Sequence, residues 1–276
     1  MMPPKTGIIA GAGDLPRHLA QLCLETGRDP FVILLEGQAR EADYAGFAGA
    51  VYRLGAAGAI IKRLRSEGVQ AIVLAGPVKK PSLATLRPDF WSACFLLRTG
   101  VFSKGDDTLL QTLIRALEDE GFQVIGADDI APELLMPEGC LTARTPNLDE
   151  TRDIEVGIAA ARALGARDAG QAVVAAGGAV IAEEDRRGTD AMLNDLQGEA
   201  HRGGVLVKTV KPDQERRADL PTIGVDTVTA VKSLGLAGIA VSAGDALLLQ
   251  REQCIAAANA AGIFIVGIPL DTGAPP

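Results

Sequence analysis

The chain has 276 residues, 47% of them hydrophobic and 22% charged. That composition can bury a core, excludes disordered and fibrous architectures, and at about 150 residues per domain predicts two domains. Asp and Glu total 35 against 27 Lys and Arg, a net charge of −8, which argues against nucleic-acid binding through a basic surface and confines any anionic ligand to a local basic pocket. The longest apolar run, Ala172 to Ala182, is about half of the ~20 residues a membrane helix needs. No signal-peptide pattern precedes the first apolar strand, so a cytoplasmic protein is expected.

The four cysteines, Cys23, Cys94, Cys140 and Cys254, form no C-x-x-C pair, as suits a reducing compartment. His18 and His201 are the only histidines. They are too few for a two-metal centre built from imidazoles, so any metal must be held mainly by oxygen, which favours Mg²⁺ or a similar hard cation.

The first 126 residues alternate β-rich apolar runs with helical patterns. The strand candidates are 7–11, 31–35, 71–75 and 122–126, each nearly all apolar, as in parallel strands covered on both faces. Leu15, Leu19, Leu22 and Cys23 keep one helical face, with Asp14 as N-cap, Pro16 in the first turn and Gly27 as the stop. Leu109, Leu110, Leu113, Ile114 and Leu117 do the same between Asp106-Asp107 and Gly121. Repeated βα units predict a Rossmann-like, doubly wound parallel sheet over residues 1–130. Residues 131–146, rich in Pro and Gly, read as a linker. Residues 147–276 read as a C-terminal mixed α/β domain. It opens on a helix whose Asn147 and Glu150 have capping-box spacing, and continues into a hairpin turning at Gly177-Gly178.

Several motifs can carry chemistry. Gly11-Ala12-Gly13-Asp14-Leu15-Pro16 joins the first strand to the first helix, where glycines let an anion approach backbone N–H groups at a positive helix end. A nucleotide or phosphate loop, a nicotinamide loop with Glu36 on the ribose, and a plain tight turn are the three readings, and Pro16 in place of a third glycine weighs against nicotinamide. Gly76-Pro77-Val78-Lys79-Lys80-Pro81-Ser82 follows the third strand candidate at the carboxyl edge of the sheet, so its lysines are phosphate ligands or solvated charges. In Ser103-Lys104-Gly105-Asp106-Asp107-Thr108 one acid is accounted for by capping, and the other is a candidate to orient a ligand or contact a metal.

In the second half, Thr189 and Asp190 of Gly188-Thr189-Asp190 are helix caps or site residues. Lys208, in Val207-Lys208-Thr209-Val210-Lys211-Pro212, interrupts an apolar strand pattern, which is costly unless it meets an anion. Asp226, in Pro221-Thr222-Ile223-Gly224-Val225-Asp226-Thr227, is a cap or a carboxylate that holds Mg²⁺ or positions water. Phe90, Trp91, Phe95 and Phe102 gather within 13 residues, and read as a core helix, a site for a large apolar ligand, or a membrane-facing patch.

In this order the motifs Gly7–Pro16, Gly76–Ser82, Gly105–Leu110, Gly188–Asp190, Val207–Pro212 and Pro221–Asp226 resemble the LpxI-type UDP-2,3-diacylglucosamine pyrophosphatases of lipid A biosynthesis. The resemblance implies two α/β domains and a divalent-cation-dependent hydrolysis of UDP-2,3-diacylglucosamine to 2,3-diacylglucosamine 1-phosphate (lipid X) and UMP, with water attacking the sugar-side phosphorus. It implies Asp226 as the catalytic acid and metal ligand. Substrate contacts fall on Gly11, Ala12, Gly13, Asp14, Leu15, Gly76, Lys79, Asp107, Thr189, Asp190, Lys208, Lys211 and Thr227. The expected partners are the substrate, its two products and, through the substrate, the inner membrane surface, with a homodimer as a further expectation. The alternatives are a nicotinamide-dependent oxidoreductase and a non-catalytic nucleotide- or lipid-binding protein.

Overall fold

A computed structural model describes residues 3–79, 86–100, 106–196, 201–212 and 214–270. The expectations for Lys80, Pro81, Ser82, Phe102, Ser103, Lys104 and Gly105 lie outside these residues. The chain divides into two compact units, 1–132 with 215–218, and 133–214 with 219–276.

In the first unit, strands β1 (Thr6–Ala10), β2 (Phe31–Leu35), β3 (Gly49–Tyr52), β4 (Ala71–Ala75) and β5 (Gln123–Ile125) form an all-parallel sheet ordered β3-β2-β1-β4-β5. Every residue of β2 is buried, which is why its sequence is continuously apolar instead of alternating. Helix α1 (Leu15–Glu25) buries Pro16, Leu19, Ala20 and Cys23. Helices α2 (Ala57–Ser66), α3 (Phe90–Thr99) and α4 (Asp106–Asp119) follow in the chain. Ile60, Ile61 and Leu64 of α2 and Ile114 and Leu117 of α4 pack with Phe31, Ile33, Ile72 and Val124 of the sheet. Edge strand β3 is short and half exposed, so it lacks the buried-strand pattern that made the other strands legible. The short helix α5 (Ala127–Ile130) closes the unit.

The stretch 131–146 is structured. It carries a 3-10 turn at Pro132–Leu134 and strand β6 (Gly139–Cys140), which pairs antiparallel with β13 (Phe264–Ile268). The second unit's sheet also contains β7 (Ala172–Ala176), β8 (Ala179–Glu183), β9 (Val205–Lys208) and β11 (Gly238–Ser242), ordered β6-β13-β11-β9-β7-β8. Its three central strands, β13, β11 and β9, are parallel, and the outer ones are antiparallel.

Helix α6 (Leu148–Ala166) covers one face of this sheet. Its Ile154, Ala161 and Leu164 meet Val173, Val207, Ala240 and Phe264. Gly157 permits that approach, because a Cβ there would stand 2.4 Å from Val207 Cγ2. Asn147 and Glu150 form the expected capping box. The buried Asp153 accepts hydrogen bonds from Gly178 N (2.6 Å) and Gly177 N (3.2 Å), fixing the β7–β8 turn. The other face packs against α7 (Thr189–Asp195), α8 (Val225–Ser233) and α9 (Arg251–Ala261) through Met192, Leu193, Val228, Val231, Cys254 and Ala258. Two short strands, β10 (Thr222–Ile223) and β12 (Leu247–Leu248), pair in parallel just before α8 and α9.

Candidate functional site

In the first unit the Gly11–Leu15 loop, Gly76 and Lys79 lie at the carboxyl ends of β1 and β4. This is where the strand order reverses, and open α/β sheets bind ligands at such a switch point. Gly11 N donates to Ala75 O (2.8 Å) and Ala12 N to Pro77 O (2.9 Å), so the two loops are sewn together. The contact demands glycine on both sides. A Cβ on Gly11 would lie 2.5 Å from Gly76 O, and one on Gly76, whose φ is +81°, would lie 2.3 Å from Ala12 O. Asp14 takes the N-cap position of α1 without a side-chain cap, and Gly13 and Asp14 are exposed beside half-buried Ala12 and Leu15. Pro16 is buried in the first turn, where a nicotinamide loop keeps a glycine for close approach. Lys79 is exposed, its backbone N donating to Gln38 Oε1 (2.9 Å). Asp107 lies within the first turn of α4, not at its cap, and accepts a hydrogen bond from Gln111 Nε2 (3.0 Å).

In the second unit the centre of the arrangement is Lys208, the last residue of β9 and buried. Its Nζ donates to Thr222 O (3.2 Å). Loss of water pushes its pKa down, opposed by the charges of Glu184, Asp190 and Asp219. Glu184, itself buried, accepts from Thr189 Oγ1 (2.8 Å) and Gln171 N (2.7 Å). Thr189 and Asp190 are therefore brought to Lys208. The cap of α7 is Gly188, so both occupy its first turn.

Thr222 leads through Gly224, the N-cap of α8, to Asp226 and Thr227 in that helix's first turn. Asp226 is exposed, and Thr227 Oγ1 accepts from Gly224 N (3.3 Å). A glycine cap supplies no side-chain oxygen to the first-turn N–H groups, and the helix dipole there favours negative charge. Lys211 borders this set through Asp219: its Nζ pairs with Asp168 Oδ1 (2.9 Å) and lies 3.9 Å from Asp219 Oδ2.

Glu184, Asp219 and the Thr222 carbonyl were not legible as site groups. Glu184 follows an apolar strand as many surface acids do, and only the fold turns it inward.

Among the described residues no three His, Cys, Asp or Glu side chains stand close enough to hold an ion. The chain therefore offers no protein-built metal cage there. Asp226 is a single exposed carboxylate, so a divalent cation there would need most of its oxygen ligands from elsewhere, as Mg²⁺ commonly takes them from phosphates and water.

The two units together define a two-domain α/β protein with glycine-rich, lysine-bearing loops at its sheet edges. Residues 5–134 match the family profile of the LpxI N-terminal domain and residues 137–266 that of the LpxI C-terminal domain. The UDP-2,3-diacylglucosamine pyrophosphatase LpxI of Caulobacter vibrioides is 40% identical over 273 residues, covering 96% of this chain and 97% of its own. The chain belongs to the LpxI family. A solved structure, the biotin carboxylase domain of Hydrogenobacter thermophilus 2-oxoglutarate carboxylase with MgADP, aligns over 65% of this chain and 36% of that one. Its identity is 15% and its TM-score 0.28, too low to carry an argument.

Proposed function

We propose that this chain hydrolyses the pyrophosphate bond of UDP-2,3-diacylglucosamine, releasing 2,3-diacylglucosamine 1-phosphate and UMP. Membership of the LpxI family supports the reaction. The observation that carries the mechanism is Lys208: a buried ammonium bonded to the carbonyl of Thr222, four residues before an exposed carboxylate at a helix start.

Cleaving a phosphoanhydride asks the protein mainly to position water and to offset negative charge. Asp226 orients the attacking water and accepts its proton. The water oxygen bonds to the sugar-side phosphorus as the bridging P–O bond breaks, and UMP departs with the bridging oxygen. Lys208 answers the growing phosphate charge. Lys79 adds a second cation, and Lys211 a third once phosphate replaces Asp168 as its partner. In the first unit, residues 11–15 with Gly76 present the nucleotide or sugar phosphate with backbone N–H groups, while Asp107, Thr189, Asp190 and Thr227 contribute polar contacts. Asp226 would hold a Mg²⁺ ion, which would supply further charge neutralisation when bound.

UMP release from the purified protein under Mg²⁺ tests the reaction. Asp226→Ala is expected to lower kcat about 10³-fold, within the range of a lost general base, with an unchanged circular dichroism spectrum. Near-normal turnover would remove Asp226 from catalysis. In H₂¹⁸O the label is expected in the sugar phosphate, and its appearance in UMP would reverse the assigned site of attack.

A further inference from the structure

Helix α3 turns Trp91, Ser92 and Phe95 inward and leaves two large apolar side chains on its outer face. Ser92 is buried, its Oγ accepting from Ala57 N (3.2 Å) at the start of α2. Trp91 and Phe95 stack at 5.4 Å, and Trp91 Nε1 donates to Glu120 Oε1 (2.7 Å), so the inner aromatics are accounted for. The opposite face, at seven-residue and three-to-four-residue spacing, carries Phe90, Ala93, Cys94 and Leu97. Phe90 is 86% and Leu97 85% exposed. Two large apolar side chains so open, two turns apart on one helix, mark a contact surface.

The rim of that face is basic although the chain as a whole carries −8. Arg87 and Arg98 flank α3 and are exposed. Lys62, also exposed, lies on the α2 edge between Gly58, where a Cβ would stand 2.7 Å from Trp91 Cβ, and Arg65, which is bonded to Glu120. The nearby acids are engaged elsewhere. Asp89 accepts from Ser92 N (2.8 Å) and Ala59 N (3.1 Å), Glu120 takes Trp91 and Arg65, and Glu67 pairs with Arg63 (2.9 Å). Among the described residues no carboxylate pairs with Lys62, Arg87 or Arg98.

We propose that α3 docks the protein onto an anionic phospholipid bilayer. Phe90, Ala93, Cys94 and Leu97 enter the boundary between headgroups and acyl chains, and Arg87, Arg98 and Lys62 sit on lipid phosphates. An apolar stripe edged by cations is the pattern of a helix lying in a membrane interface, and each cation adds attraction that salt weakens. The biological sense of the contact rests on the proposed function, whose diacyl substrate resides in such a bilayer. The contact itself is measurable without substrate.

The test is co-sedimentation with vesicles of equal parts phosphatidylglycerol and phosphatidylcholine, and with phosphatidylcholine alone. Wild type is expected to sediment with the anionic vesicles and to be released by high salt. Phe90→Ser with Leu97→Ser is expected to weaken that partition by about tenfold or more, as two lost interfacial apolar side chains should. Arg87→Glu with Arg98→Glu should erase the preference for anionic over neutral vesicles, and serves should the serine pair not fold. Both doubles should release UMP with wild-type kcat and KM from a short-chain substrate analogue monomeric in water.

Wild type remaining in the supernatant overturns the proposal. A raised KM for the monomeric analogue overturns it in favour of a subsite for the substrate's own chains. Vesicle binding unchanged in the serine pair, with a dimer converted to monomer, overturns it in favour of a second copy of this chain. Vesicle binding without any UMP release leaves the docking surface standing and ends the proposed activity instead.

Discussion

A lysine ammonium taken out of water is destabilised relative to its neutral form, and Lys208 shows the consequence for both stability and binding. Burial holds its folded pKa below the unfolded value of about 10.4. Below the folded value both states carry the proton, and the fold bears the whole cost of burying the charge. Between the two values the unfolded chain binds more protons, so stability rises with pH across that window. Lys208→Met is therefore expected to stabilise the protein at neutral pH by about 1–3 kcal/mol, the range for replacing an imperfectly paired buried charge by an apolar side chain. The gain should shrink as pH climbs through the window, measurable by chemical denaturation at several pH values. The same variant should raise KM about 10–100-fold, the worth of one charge-assisted hydrogen bond to phosphate. An unchanged KM would take Lys208 out of the phosphate site. That Lys208 is unusual was legible from its apolar neighbours; which carboxylates face it was not.

At the scale of elements, the β1–α1 and β4 loops form one joined edge and not two independent turns. Gly11→Ala is expected to cost about 1–3 kcal/mol, because its methyl meets the carbonyl oxygens of Gly76 and Pro77 instead of a side chain that can yield. Gly13, with φ +82° and nothing within 4 Å of a Cβ, should cost about 1–2 kcal/mol on the same change, from left-handed backbone alone. Thermal denaturation separates stability, and KM for UMP release separates function: Gly11→Ala should raise KM by splaying the loops, more than Gly13→Ala does. The glycines announced a loop, but that two loops interlock follows from β1 and β4 being neighbours in the sheet. Helix starts were legible to within a residue or two, yet Gly188 and Gly224 took the cap positions, so Thr189, Asp190 and Asp226 are first-turn residues. Glycine is an acceptable cap, and local sequence does not distinguish the two registers.

For the whole molecule, the chain is not cut cleanly in two by its linker. Residues 215–218 return to the first unit, where Arg217 pairs with Glu118 (2.5 Å) as well as Glu215 (2.8 Å) and Ala218 joins the apolar cluster of β2, β4 and α4. Arg217's pairing raises its pKa, mainly through Glu215, and lowers that of Glu215. A fragment of residues 1–132 lacks this patch and is expected to unfold by calorimetry below the corresponding transition of the full chain. An equal transition temperature would show the patch to be energetically idle. No helix among the described residues is long and apolar enough to cross a membrane.

Apolar periodicity and the placement of Gly, Pro and Asn were enough to determine four strands of the parallel first sheet and the Gly177-Gly178 hairpin, because each is written in residues a few positions apart, while the family was read from the resemblance of motifs spread along the chain. Only the tertiary structure decided that Glu184, Lys208 and Thr222 meet, and that Phe90 and Leu97 of an apolar helix face solvent. Those outcomes depend on a strand order, β6-β13-β11-β9-β7-β8, that does not follow the chain, and on which helix face finds a partner. Periodicity states that a helix has an apolar side; whether anything in the same molecule covers it is settled by packing between segments far apart in sequence.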